Sequence, residues 1–246
     1  MSLKKKHILN KLLDIYNSNA CGFHLYEEPK IIFIHLSKCG GTSIHKVLSE
    51  SYRETDRNKI NLEKLAEDFY NYFSFAVVRN IYSKALSQYN HEVYQKMHSY
   101  DFDAWLKIVS ENKVIECPNC RSDYSNAYNE LSQKIFTTID GINFLTYVGR
   151  FENMKQTFSL LNKKFNVKKI PLANPSFYSY KRLSNNQIFI ISKLFQSDIE
   201  YFKFYPIKEN QKPFTQNLRI RMFFLKSYFY NIYKKVKNSL TKSGLN

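Results

Sequence analysis

The chain contains no apolar run approaching the roughly 18 residues that cross a bilayer. Its basic start, Met1-Ser2-Leu3-Lys4-Lys5-Lys6, is followed by no apolar signal core. These absences argue for a soluble, cytoplasmic protein. Cysteine is scarce: Cys21, Cys39, Cys117 and Cys120 are too few to form a disulfide framework in 246 residues. Cys117-Pro118-Asn119-Cys120 has half of a zinc-ribbon spacing, but no second pair exists, and a metal there would have to recruit His98 or another distant ligand. The motif reads as a turn carrying two thiols. Acidic residues are also few, 21 against 37 Lys plus Arg, which leaves a formal charge of +16. From residue 211 onward there are none at all, while eight basic residues fall there, so half the net charge lies in the last 36 residues.

What is present describes a folded protein. Hydrophobic residues make up 43% and aromatics 16%, above the composition of a disordered chain. The length suits one core, so a single domain over residues 1–210 with a basic tail over 211–246 is expected. The tail carries Leu218, Met222, Leu225, Phe229, Ile232, Val236 and Leu240 at steps of three and four. That pattern predicts an amphipathic helix that either packs on the domain or lies on an anionic membrane surface. The positive charge calls for an anionic partner. No nucleic-acid-binding motif accompanies it.

The chain is organised around residues 30–48. Lys30-Ile31-Ile32-Phe33-Ile34-His35-Leu36 reads as a buried strand. Ser37-Lys38-Cys39-Gly40-Gly41-Thr42-Ser43 breaks it, and Ile44, Val47 and Leu48 mark one face of a following helix. A strand, a glycine turn and a helix N-terminus together aim backbone N–H groups at an anion. Lys38 adds a positive charge, and Thr42 and Ser43 add hydroxyls. The usual nucleotide-triphosphate loop places its lysine after the last glycine, beside a hydroxyl that holds magnesium. Here the lysine precedes the glycines. A plain glycine-rich turn with a solvated lysine is the bland alternative.

Further along, 4–20 predicts a short helix, Asn61 caps a helix over 62–68, and Phe73–Val78 reads as a strand central in a parallel sheet. Ile81–Tyr94 reads as a helix. This order sets Arg79 and Lys38 at the carboxyl ends of two strands, the edge where open α/β sheets bind ligands. Helices are expected over 99–109 and 154–165. The polar stretch 113–129 reads as a loop.

Two segments carry a family resemblance. Lys38-Cys39-Gly40-Gly41-Thr42-Ser43 resembles the 5′-phosphosulfate loop of carbohydrate sulfotransferases, usually Pro-Lys-Thr-Gly-Gly-Thr-Ser. Phe75-Ala76-Val77-Val78-Arg79-Asn80-Ile81-Tyr82 through Tyr89 resembles the same family's 3′-phosphate motif, with Arg79 and Ser87 at its phosphate-binding positions. The segments Val148-Gly149-Arg150-Phe151-Glu152-Asn153 and Lys168–Pro175, and the Asp198-to-Phe202 ending of a late helix, are similar as well. Buried structural pairing is the expected role of Arg150 and Glu152; Lys181 and Arg182 are either cofactor-closing groups or solvated charges. The chain departs from the pattern at Ser37 (usually Pro), Cys39 (Thr), Ile81 (Pro) and Lys84 (Arg). At Cys39 the backbone N–H is expected to stand in for the missing hydroxyl.

The resemblance implies an α/β fold with a central parallel sheet flanked by helices, like P-loop NTPases. It implies transfer of a sulfuryl group from 3′-phosphoadenosine 5′-phosphosulfate to a hydroxyl of a carbohydrate, such as a bacterial surface glycan. Lys38 would be catalytic; Lys38, Cys39, Gly40, Gly41, Thr42, Ser43, Arg79 and Ser87 would bind the donor, and no metal would be needed. Candidates for the general base are Glu50, Glu54, Asp56, Glu63 and His45. The competing readings are a phosphotransferase with an atypical loop, and a basic module that binds nucleic acid or membrane.

Overall fold

A computed structural model describes residues 3–18, 21–111, 132–167 and 183–206. The chain divides into Met1–Pro206 and Ile207–Asn246. The second unit, and with it the expected tail helix, lies outside the described residues. So do the Cys117–Cys120 turn, the Lys168–Pro175 loop, Lys181 and Arg182.

The first unit is a mixed α/β structure built on a four-stranded, mostly parallel sheet flanked by helices. Strand β1 (Cys21–Tyr26) pairs antiparallel with β2 (Ile31–Leu36), which runs parallel to β3 (Phe73–Val78), and β3 runs parallel to β6 (Tyr147–Arg150). All six residues of β3 are buried, as an apolar strand hydrogen-bonded on both sides requires. A separate hairpin joins β4 (Thr138–Ile139) to β5 (Ile142–Asn143) through Asp140-Gly141. Both turn residues have positive φ, the combination that a two-residue hairpin favours.

The helices cover both faces. Helix α1 (Leu3–Asn17) buries Ile8, Leu12 and Ile15, and its Tyr16 ring meets Phe23 of β1. On the other face Phe33, His35 and Phe75 stack with one another. Helix α2 (Gly41–Ser51) lies against β2 there, and α7 (Met154–Phe165) brings Phe165 to Phe73. Asn61 caps α3 (Leu62–Asp68), its side-chain oxygen accepting from Lys64 N–H at 3.0 Å. Helices α4 (Ile81–Tyr94) and α5 (Phe102–Ser110) pack on α8 (Asn185–Leu194). The short α6 (Lys134–Thr137) and α9 (Gln196–Phe202) complete the unit. No helix among the described residues is long and apolar enough to cross a membrane.

Two differences from the sequence reading stand out. The helix expected over 4–20 ends at Asn17, and Cys21–Tyr26 form β1, which the sequence reading lacks altogether. Only three of its six residues are buried, so it leaves no apolar run. The late helix is broken at Phe195, whose φ of −115° and ψ of 29° separate α8 from α9.

A buried acid fastens the late helices to the sheet edge. Asp198 is 2% exposed and accepts from Ser132 Oγ at 2.9 Å, Gln133 N–H at 2.7 Å and Lys134 N–H at 2.8 Å. Two of these donors are the opening backbone N–H groups of α6, which have no carbonyl of their own turn to meet. Asp198→Ala strands all three in a dry site. It is expected to lower unfolding free energy by about 3 kcal/mol, read from urea denaturation; a change within error would show the bonds to be dispensable.

Candidate functional site

The site is built where β2 and β3 end side by side. Residues 37–40 leave β2 in a tight turn: Cys39 N–H donates to Leu36 O at 3.4 Å, Lys38 has a φ of 59° and Gly40 a φ of 79°. The Cys39 N–H is thus engaged within the turn, contrary to the expectation that it stands open to a phosphate. The Cys39 thiol faces inward, 1% exposed, and donates to Ser37 O and to Gln133 Oε1. Burial raises its pKa, despite the opposing influence of Lys84 and Arg79. Helix α2 starts at Gly41, and its first bonds run from Ser43 and Ile44 N–H to Gly40 O. The backbone N–H groups of Gly40, Gly41 and Thr42 come before any helical acceptor. Thr42 is exposed at this end; Ser43 is buried.

Both glycines are required by what packs on them. A Cβ on Gly41 would fall 1.8 Å from His35 Cδ2, inside the imidazole ring. A Cβ on Gly40 would approach the Phe151 ring at 3.1 Å, in a left-handed conformation that already disfavours side chains. Gly41→Ala is expected to cost about 1–3 kcal/mol of stability. In a His35→Ala background most of that cost should vanish, because the obstructing ring is gone. A double-mutant cycle by urea denaturation measures the coupling, and independent effects would refute the contact.

Arg79 joins the loop from the β3 side. It is 5% exposed; Nη1 donates to Lys38 O at 3.0 Å, Nε donates to Ser83 Oγ at 3.0 Å, and the guanidinium lies 4.3 Å over the Phe151 ring. The expected neighbourhood of Lys38 and Arg79 is therefore realised, and the 148–153 segment joins them through Phe151. The hydroxyl that Arg79 reaches on α4 belongs to Ser83. Ser87 is buried one helical turn further along. Gln133, 0% exposed, closes the arrangement: its Oε1 accepts from Arg79 N–H at 2.6 Å, and its Nε2 donates to Arg79 O at 2.8 Å. Asn80 caps α4 by accepting from Tyr82 N–H, and its own N–H donates to Glu152 Oε1 at 2.8 Å. Arg150 donates to Phe202 O. Arg150 and Glu152 are exposed and serve backbone partners, where buried pairing was expected.

The departures from the family pattern have local explanations. Ser37 Oγ donates to Gln88 Oε1 at 3.2 Å, and Gln88 Nε2 donates to Glu92, which also accepts from Trp105 Nε1 and His98 Nε2. This polar chain leads from the loop to α5. Ile81 occupies the first position of α4, where proline is favoured, and is fully buried. Lys84 is fully buried on the same helix.

The five base candidates separate. Glu50 pairs with Lys46 at 3.9 Å on the surface, Asp56 accepts from Asn58 N–H, and Glu63 is exposed in the first turn of α3. Glu54 and His45 come together with a third residue, His24. His24 Nδ1 lies 2.7 Å from Glu54 Oε1 and His45 Nε2 lies 2.8 Å from Glu54 Oε2, while the two imidazoles stack at 4.2 Å. Burial alone would raise the Glu54 pKa, but hydrogen bonds from His45 and His24 hold it below the ordinary carboxylate value. Burial lowers His24. It lowers His35 to about 4, helped by repulsion from His24 and His45.

Sequence reasoning gave Phe151 no role within its family-like segment, and missed Gln133, Ser83, His24 and His35 as members of this region. The last two would have needed the β1–β2 register, which sets Gly22 opposite His35 and His24 opposite Phe33. Compared with protein-family models, with curated proteins and with solved structures, the chain matches none.

The depressed His35 gives a signed pH dependence. Above about pH 6.5 its ring is neutral in both folded and unfolded chains. Between 6.5 and about 4 the unfolded chain takes up a proton that folded His35 resists, so stability falls on acidification. The lowered pKa values of His24 and Glu54 act in the same direction. Unfolding midpoints measured from pH 7.5 down to 4.5 should fall, and less steeply in His35→Gln; an unchanged slope would contradict the assignment.

Proposed function

We propose that this chain is a sulfotransferase that passes a sulfuryl group from 3′-phosphoadenosine 5′-phosphosulfate to a carbohydrate hydroxyl, with the β2–α2 turn as a P-loop-like cradle. The carrying observation is convergence. Three segments that resemble the sulfotransferase family meet in space, with Arg79 Nη1 on Lys38 O and the Phe151 ring against both Gly40 and Arg79. They do so at the carboxyl ends of adjacent parallel strands, where α/β sheets take ligands.

The residues present fit such a donor. N–H groups of Gly40, Gly41 and Thr42, the Thr42 hydroxyl and the α2 N-terminus form an anion cradle for the 5′-phosphosulfate. Arg79 and Ser87 are the residues assigned to the 3′-phosphate. Arg79 also holds the Lys38 carbonyl, so one side chain both shapes the loop and contributes charge to it. The donor supplies an activated sulfuryl group whose release leaves negative charge on a phosphate oxygen. Lys38 neutralises charge developing at that oxygen, the kind of preorganised stabilisation that lowers a transition-state barrier. The acceptor is a glycan hydroxyl, in keeping with a cytoplasmic enzyme acting on precursors of surface polysaccharide.

Calorimetric titration with adenosine 3′,5′-bisphosphate and with AMP tests the reading. The bisphosphate should bind the wild type at least about tenfold more tightly than AMP, and that preference should be lost in Arg79→Lys, which keeps the charge but not the fork. Lys38→Ala should abolish sulfuryl transfer with a smaller effect on bisphosphate binding. Failure of both nucleotides to bind would reject the proposal.

A further inference from the structure

A second cluster of chemically active side chains, which includes two of the five candidate bases, lies beyond His35 from the loop. His24 comes from β1, His45 from α2 and Glu54 from the segment after α2, and one donor atom from each lies within 4.8 Å of the others. The β1–β2 register sets His24 opposite Phe33, two residues, about 7 Å along the strand, further from the loop than His35. We propose that His24, His45 and Glu54 form a binding site for a divalent transition-metal ion, zinc foremost.

The donor set matches that chemistry. Two imidazole nitrogens and one carboxylate are a recurrent three-ligand set for zinc, which takes its fourth position from water. Nitrogen donors from two histidines favour zinc, nickel or copper(II) over magnesium or calcium, which prefer oxygen. Ligand atoms around a tetrahedral zinc stand about 3.4 Å apart. The observed 2.7 and 2.8 Å separations from the Glu54 oxygens therefore have to open by roughly half an ångström or more, and the rings have to turn until both nitrogens face one ion. The site is also accessible: the His45 and Glu54 side chains are 35% and 32% exposed, which gives an ion a path in and a water its place. The two rings stack at 4.2 Å, which keeps both nitrogens beside the one carboxylate.

The site stands whether or not the loop accepts a nucleotide. The test uses the untagged, chelator-stripped full chain and zinc alone as the probe, followed by calorimetry and a thermal melt. One ion per chain should bind, raising the melting temperature of the wild type. The affinity should fall by about tenfold or more in His45→Ala and in Glu54→Gln, both confirmed folded by circular dichroism. It should be unchanged in Cys117→Ser/Cys120→Ser. Cobalt substituted for zinc should give visible ligand-field bands without a thiolate-to-cobalt charge-transfer band. Absence of binding, wild-type affinity in the site variants, or loss on replacing the cysteines would overturn the proposal and leave the three residues as a hydrogen-bonded network.

Discussion

The buried amide of Gln133 holds this structure's working edge together. It is paired on both sides with the Arg79 backbone, receives the Cys39 thiol, and is itself held by Asp198 through its own N–H. Strand β3 ends where these bonds begin, so the peptide that would otherwise fray at the sheet edge is as satisfied as one inside a ladder. In a dry environment each bond depends on the others, since losing one partner leaves a buried donor or acceptor exposed to nothing. The glycine turn, the end of β3 and the late helix α9 are thereby one mechanical unit, though they are far apart in sequence.

What the sequence revealed follows from how local each feature is. The apolar runs of β2 and β3, the Asn61 cap, and the limits of α4 and α7 depend on residues within a turn or two of one another. The loop could be read because glycines, lysine and flanking patterns lie in one short stretch. Strand β1 could not, because an edge strand with a glycine and a histidine among half-exposed positions carries no run. Gln133 gave no sign at all: a single polar residue acquires its meaning only from the three segments that fold around it. The histidine cluster was hidden for the same reason. Its members are 21 and 9 residues apart, spacings that fit no helix face or strand alternation.

Arg79 can fill two roles with one side chain. Its place in the sequence resembles that of a phosphate-binding arginine, while the fold gives it a carbonyl, a hydroxyl and an aromatic face. These roles are compatible because a guanidinium has five donors in a fixed plane. Removing the side chain would disturb the loop as well as any ligand, which is why a lysine at this position is more informative than an alanine.

The Cys39 thiol sits at the foot of the loop, sealed from solvent and bonded to Gln133. A cysteine beside a helix N-terminus is ordinarily activated, but here burial prevails and the sulfur is chemically quiet. Its silence is conditional on the turn staying shut. Any excursion that lifts the glycine turn off Gln133 would uncover a thiol in an electropositive setting, so the rate at which an alkylating reagent finds Cys39 is a built-in clock for loop opening.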